Sequence, residues 1–261
     1  MPRPADPRRW WLVLPAFALV ACTSGGGTDV TSTAASPTPT SSPSAVAITD
    51  AASLAAALRA GAAEVTSARI SIRASTGGIS CSASGGATTS NGRLTGLRVD
   101  GPAGVEAVET VFAAGTVFAR PYDFDGGDDG IWHTVAATGG DENVVAVRPC
   151  LVAAYAVVNV SPLADALEAG TGFQDVGVVT GGNRYSVDGF SPAARGALPA
   201  LFGAVVVPDR AFLDVDRRGR LLSVTARFTV GGVSASADID WSGFGADLAL
   251  TTPAGSAVAP D

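Results

Sequence analysis

The residues of this chain that could do covalent or metal chemistry are few. They are three cysteines (Cys22, Cys81, Cys150), one histidine (His133) and an acidic stretch with Asp123, Asp125, Asp128 and Asp129. Cys22 has the clearest assignment. It follows Leu19-Val20-Ala21, a basic head (Arg3, Arg8, Arg9) and an apolar run from Trp10 to Val20. A helix needs about 20 apolar residues to span a bilayer, and this run is shorter. It fits the apolar region of an export signal, about 7–15 residues. A branched apolar residue three before the cysteine, with Ala just before it, makes a lipobox, the pattern cut by lipoprotein signal peptidases. Residues 1–21 are then removed, and Cys22 becomes an acylated first residue anchoring the chain to the outer face of the cytoplasmic membrane. The plainer alternative is a secretory signal with an accidental cysteine. Arg8-Arg9-Trp10-Trp11-Leu12 partly matches a twin-arginine signal and says only that the chain is exported.

With Cys22 assigned to lipid, Cys81 and Cys150 form an even pair in an exported protein, where disulfides persist. A bridge between them is the expected state. Two buried free thiols, or one catalytic thiol leaning on His133, are the alternatives. His133 sits beside Trp132 in a short strand-like run, where a hydrogen-bonded structural role is expected. The acidic stretch begins like a calcium loop, but its fifth position is Gly127, its sixth is Asp128 where Gly is required, and Thr134 replaces the final Glu. A solvated acidic turn fits better, so no metal and no cofactor are expected. No nucleophile elbow, phosphate loop, dinucleotide fingerprint or zinc-protease motif is present. A hydrolase is therefore a weak third class.

Composition narrows the partners. The chain has 261 residues and a net charge of −7; the leader carries +2, so its removal leaves −9. Such a chain repels phosphate backbones, which excludes nucleic acid as a natural partner. Membrane attachment must come from acyl chains rather than from long-range charge. All 17 basic residues are Arg, a bias of a GC-rich genome more than of a binding site.

The elements that must position these residues follow from pattern. Residues 22–47, rich in Ser, Thr, Pro, Gly and Ala, cannot bury enough surface to order themselves and read as a tether. Residues 48–253 form one globular domain, and 254–261 a tail. The domain opens with a helix capped by Thr49 and running to about Thr66, with Leu54, Leu58, Ala62 and Val65 on one stripe. Period-2 strands follow at 68–75, 79–82, 93–99 after the Asn91-Gly92 turn, 105–112, 116–120 and 131–135. Helical patterns return around Leu151–Val158, from Ser161 as cap to Gly170, and from Ser191 to about Phe202. Strands at 174–179, 184–187 and 211–215 precede two long alternating runs, Ser223–Val230 and Val233–Trp241, with a further short strand at Leu248–Thr251. Strands in meander order with inserted helices predict an α+β fold: one antiparallel sheet covered on one face by helices.

Several of these stretches together resemble the LppX/LprAFG-type lipoproteins of mycobacteria and their actinobacterial relatives. They are the lipobox and tether, Ser67-Ala68-Arg69-Ile70-Ser71-Ile72, Thr116-Val117-Phe118-Ala119, Trp132 and the helical insert from Pro162. Asn183-Arg184-Tyr185-Ser186-Val187-Asp188-Gly189, the strand–turn–strand at Leu213–Leu222, and Asp240-Trp241-Ser242-Gly243-Phe244-Gly245 with Pro253 complete the set. The likeness runs from Cys22 to Pro253; the Cys81/Cys150 pair has no place on the family pattern. It implies a strongly curved, LolA-like half-barrel whose concave face, roofed by helices, takes acyl chains. The candidate lining is then Ile70, Ile72, Phe112, Phe118, Val224, Phe228 and Ile239, residues that an ordinary packed core would use equally well. The implied function is a non-enzymatic carrier of an envelope lipid or glycolipid, with an envelope transporter as a possible partner. The alternative is a filled-core lipoprotein that recruits another protein through its surface.

Overall fold

The computed structural model describes residues 47–76, 79–103, 106–113, 116–122, 131–134, 151–190, 207–230, 233–248, 250 and 253–254. The expected leader, Cys22 and tether to residue 46, the acidic stretch 123–130, Cys150 and the expected helix from Ser191 lie outside the described residues.

Helix α1 spans Ala51–Ala63, and its cap is Asp50 rather than Thr49. The Asp50 carboxylate accepts from the Ser53 backbone N–H at 2.7 Å, while Ser53 Oγ reaches back to the Asp50 backbone, a reciprocal box that satisfies two orphan N–H groups. The helix ends before the expected Thr66, because the chain turns at Glu64–Thr66 to enter the first strand. Leu54, Leu58 and Ala62 are buried as the stripe requires.

Strands β1 (Ser67–Thr76), β2 (Ile79–Ser90), β3 (Arg93–Ala103), β4 (Glu106–Ala113), β5 (Thr116–Tyr122) and β6 (His133–Thr134) form one antiparallel meander. A second comprises β7 (Thr171–Val179), β8 (Gly182–Asp188), β9 (Pro208–Asp216), β10 (Leu221–Val230) and β11 (Val233–Ser242). The two join through β1 against β11, giving an 11-stranded sheet in the order β6-β5-β4-β3-β2-β1-β11-β10-β9-β8-β7 with both edges open. The Asn91-Gly92 turn closes β2 on β3 as its sequence demands, with φ of 50° and 69° at the two positions.

Between the meanders, α2 (Leu151–Val158) and α3 (Val160–Glu168) meet at a 73° bend. The expected cap Ser161 lies one residue inside α3. Its Oγ donates to Asn91 O at 2.7 Å, pinning the helix to the β2–β3 turn. Asn159 takes the cap position without capping, because its side chain accepts from Leu94 N at 3.0 Å and donates to Tyr155 O at 2.7 Å. Among the described residues no single helix is long and apolar enough to cross a membrane.

Alternation sorts the sheet into two faces. Eleven strands laid flat would span about 48 Å at 4.8 Å per interval, while two packed helices cover about 20 Å. One continuous core nevertheless includes Val117 and Ala119 on β5 as well as Tyr185 and Val187 on β8. The sheet must therefore curl around its helices, which is the half-barrel that the resemblance implies. α1 packs on α3, and they touch β10 and β3 respectively, one on each half of the sheet.

The outer face is polar and cross-linked. Arg184 grips Asp214 by two bonds of 2.7 Å, and Ser223 donates to the same carboxylate at 2.8 Å. Burial pushes this carboxyl up, but the hydrogen bonds from Arg184 and Ser223 outweigh it and hold it below its ordinary value. A depressed carboxylate contributes stability that is complete above its unfolded pKa, about 3.9, and is lost as pH falls through the folded value. Asp214→Asn is expected to lose about 1–3 kcal/mol at neutral pH and to show a flatter fall in Tm below pH 4 than the parent. Parallel acid limbs for the two proteins in a pH series of thermal melts would show that Asp214 contributes nothing to acid sensitivity.

The chain beyond β11 makes no strand at Leu248. It turns through Gly243–Gly245, fixed by Gly245 N–H to Ser67 O at 2.9 Å, and lays Leu248 over Gly86 on the outer face. A Cβ at Gly86 would come within 2.8 Å of Leu248 Cδ1, so the glycine opens the seat that the leucine fills.

Candidate functional site

The inner face is built from cross-strand rows that the register makes continuous. One row runs Ala83, Ile72, Ile239, Val224, Leu213, Tyr185 across β2, β1, β11, β10, β9 and β8. The next runs Cys81, Ala74, Ala237, Ala226, Ala211, Val187 over the same strands. On the other side of the centre, Ala119, Thr110, Val99, Gly85, Ile70 and Trp241 form a third.

Six of the seven candidate lining residues, Ile70, Ile72, Phe112, Val224, Phe228 and Ile239, share this face. Phe118 does not. Val117 and Ala119 occupy the inward positions of β5, so Phe118 points outward beside Val111 and opposite Thr134. It is removed from the candidate set: its β5 pleat, not its apolar character, decides its side. Phe112 meets Tyr155 of α2 edge to face at 5.0 Å, and burial pushes the Tyr155 phenol up.

Packing differs along the face. Ile70, Ile72, Val224 and Ile239 are at most 3% exposed. The cavity at the helix-covered end, between α1 and α3 and lined by Ala62, Ala68, Val158, Leu221 and Trp241, holds only about 20 Å³. That is room for about one water, so this end is filled. The row beginning with Cys81 has small side chains at five successive strands and stays dry, none of them more than 7% exposed. Where β1, β9, β10 and β11 end beyond it, an open hollow of about 490 Å³ is lined mainly from the outer face, by the cross-strand row Ser75, Ser236, Arg227 and Arg210. Phe228 and Ala235, the cross-strand pair next to Ala226 and Ala237, reach its margin, but the small-residue row does not line it.

Several contributors went unnamed in the sequence reading. Tyr185, Leu213 and Trp241 were legible as inward positions of period-2 runs. The alanine row carried the same signal, but alanine gives little amplitude to a hydrophobic pattern. Cys81 is buried at the β2 end of that row and is disulfide-bonded. His133 lies exposed at the β6 edge, paired with Ala119 of β5. Among the described residues no cluster of His, Cys, Asp and Glu could hold a metal ion. Among the described residues the most buried ion-paired carboxylate is on the outer face: Glu109 lies 2.9 Å from Arg98 and 2.6 Å from Arg120, and Arg120 stacks on Trp132 at 5.0 Å.

No family model matches the chain, and no curated protein matches it. Among solved structures it is similar to LprF from Mycobacterium bovis, at 14% identity and a TM-score of 0.46, over 78% of this chain and 97% of that one. It is also similar to lipoprotein LppX of Mycobacterium tuberculosis, at 13% identity and a TM-score of 0.42, over 76% and 98% of the two chains. A DUF1329 family protein from Desulfovibrio piger aligns at 11% identity with a TM-score of 0.27, over 78% and 96%. The first two bear names of the lipoprotein group that the sequence resembles.

Proposed function

We propose that this protein is an exported lipoprotein, acylated at Cys22, that holds acyl chains of an envelope lipid or glycolipid against the inner face of its sheet and carries them across the cell envelope. The observation that supports this most directly is the row of small side chains Cys81, Ala74, Ala237, Ala226 and Ala211 on five successive strands of one apolar inner face. The row is covered in this structure, and it gives an acyl chain a place to lie once its cover moves aside. Each methylene buried there gains about 0.8 kcal/mol, so a chain of ordinary fatty-acid length needs no polar contact to stay. The reading involves no covalent chemistry, and the protein is not proposed to be an enzyme. Cys81 pairs with Cys150 in this proposal, stapling the residue just before α2 to the same row.

The filled end beneath α1 and α3 favours a second reading, a packed domain that recruits another envelope protein through its surface. Organic extraction and mass spectrometry of the domain purified from an actinobacterial host separate the two. A stoichiometric diacyl or triacyl species is expected. Ala226→Trp, which fills the middle of the row, is expected to lower lipid per protein several-fold, with a stability loss of its own because Ala226 is fully buried. In a packed interior the same change has no lipid to displace and costs about 1–3 kcal/mol or more by overpacking.

A further inference from the structure

The β7–β8 hairpin presents apolar side chains that the fold does not use. Of the three large apolar residues exposed among the described residues, two are on β7: Val176 at 51% and Val178 at 88%. β7 is an edge strand, but irregular pairing on either side of Gln174 and Asp175 breaks its ladder, which disfavours extension by another strand. Beside it in register, Gly182 pairs with Asp216, so the β9–β10 turn stands at the same end of the sheet, two strand intervals or about 10 Å from β7. That turn carries Arg217 and Arg218, both exposed. Its own acid, Asp216, accepts from the Arg218 and Arg220 backbone N–H groups and pairs with Arg220 at 2.7 Å. The other neighbouring acid is Asp175, which accepts from Gly177 N–H at 3.0 Å. Among the described residues no carboxylate pairs with Arg217 or Arg218, which makes a positive spot on a chain of net charge −7.

We infer that this end of the sheet, Val176 and Val178 with Arg217 and Arg218, docks onto an anionic bilayer surface. Exposed valines enter the headgroup boundary while the two guanidiniums meet lipid phosphates, the pairing of apolar and cationic groups that interfacial binding uses. The inference rests on exposure and charge, independent of whether the interior holds lipid.

Residues 43–261 form one compact unit with one continuous core, so the domain can be tested without its anchor. Its sedimentation with vesicles of equal phosphatidylglycerol and phosphatidylcholine is compared with vesicles of phosphatidylcholine alone. Binding to the anionic vesicles is expected, falling as salt is raised. R217S/R218S is expected to weaken it about 30-fold, about fivefold per Arg, and V178D about tenfold. Both variants are expected to keep parental Tm and extracted lipid, which separates this result from any failure of the carrier reading. Equal binding to both vesicle types, or binding indifferent to both variants, overturns the inference. So does self-association in the absence of vesicles that V178D abolishes, which would assign the valines to a second copy.

Discussion

Replacing Gly61 by Val is expected to destabilise the domain by about 4 kcal/mol or more, and Gly61→Ala is expected to destabilise too. The second sign is the informative one, since Gly→Ala inside an ordinary helix stabilises by about 0.5–1 kcal/mol. A Cβ at Gly61 would fall 2.2 Å from the carbonyl carbon of Gly219 and 2.3 Å from its oxygen. Both are backbone atoms, so no rotamer relieves the clash. Gly219 mirrors the constraint: its φ is +79°, and its own Cβ would lie 2.1 Å from Ala57 O. The β9–β10 turn and α1 therefore touch backbone to backbone, and any side chain between them must lift the helix that buries Leu54 and Leu58. For a domain of this size, 4 kcal/mol is about 8–16 °C of Tm. Exposed Ala60→Val is the control, with a helix-propensity cost of well under about 1 kcal/mol. Melting curves of Gly61→Ala that match or exceed the parent would mean α1 does not sit on this turn.

Cys81→Ser is expected to lose a similar amount, about 4 kcal/mol, if the partner is Cys150. The loop closed from residue 81 to residue 150 holds 70 residues, and chain-entropy arithmetic for that length gives about 4.4 kcal/mol at 25 °C. Cys150→Ser is expected to match it, and the double variant to cost no more than either single change, because all three remove the same bond. Non-reducing peptide mapping of the parent should recover one linked peptide containing both residues. A map in which Cys81 is linked elsewhere, or additive losses in the double variant, would reject the pairing.

Much of the fold was legible in the sequence because the signals were local. Asn91-Gly92 demands a two-residue turn, and Ser223–Val230 and Val233–Trp241 each alternate along their whole length. The expectations that failed did so where tertiary contacts overrode a local rule. Thr49 and Ser161 are good caps by type. Asp50 took the first role because Ser53 could answer it, and the β2–β3 turn drew Ser161 into α3. Leu248 to Thr251 reads as a strand, yet Leu248 instead covers the open seat above Gly86. Six of the candidate lining residues share the inward face, and for Ile70, Ile72, Val224, Phe228 and Ile239 polar neighbours on both sides made that face legible. Phe118 was misplaced because both of its neighbours, Val117 and Ala119, are also apolar, which left the pleat undecided. The small-residue row was invisible for a different reason. Its members become one feature only when six strands from both ends of the chain are laid side by side.

The junction of the two meanders has a consequence for how the protein comes into being. β1 finds its second neighbour only in β11, pairing residue 69 with residue 242. A chain delivered across a membrane from its amino end can zip β1 through β6 by nearest-neighbour hairpins as they emerge. The central seam must wait for nearly the last residues, with one long edge of the nascent sheet uncapped until then. Contacts this distant in sequence slow folding and lengthen the interval in which an exposed edge can recruit the wrong strand. The final strand thus sets the moment at which a newly made molecule stops being vulnerable to aggregation and proteolysis.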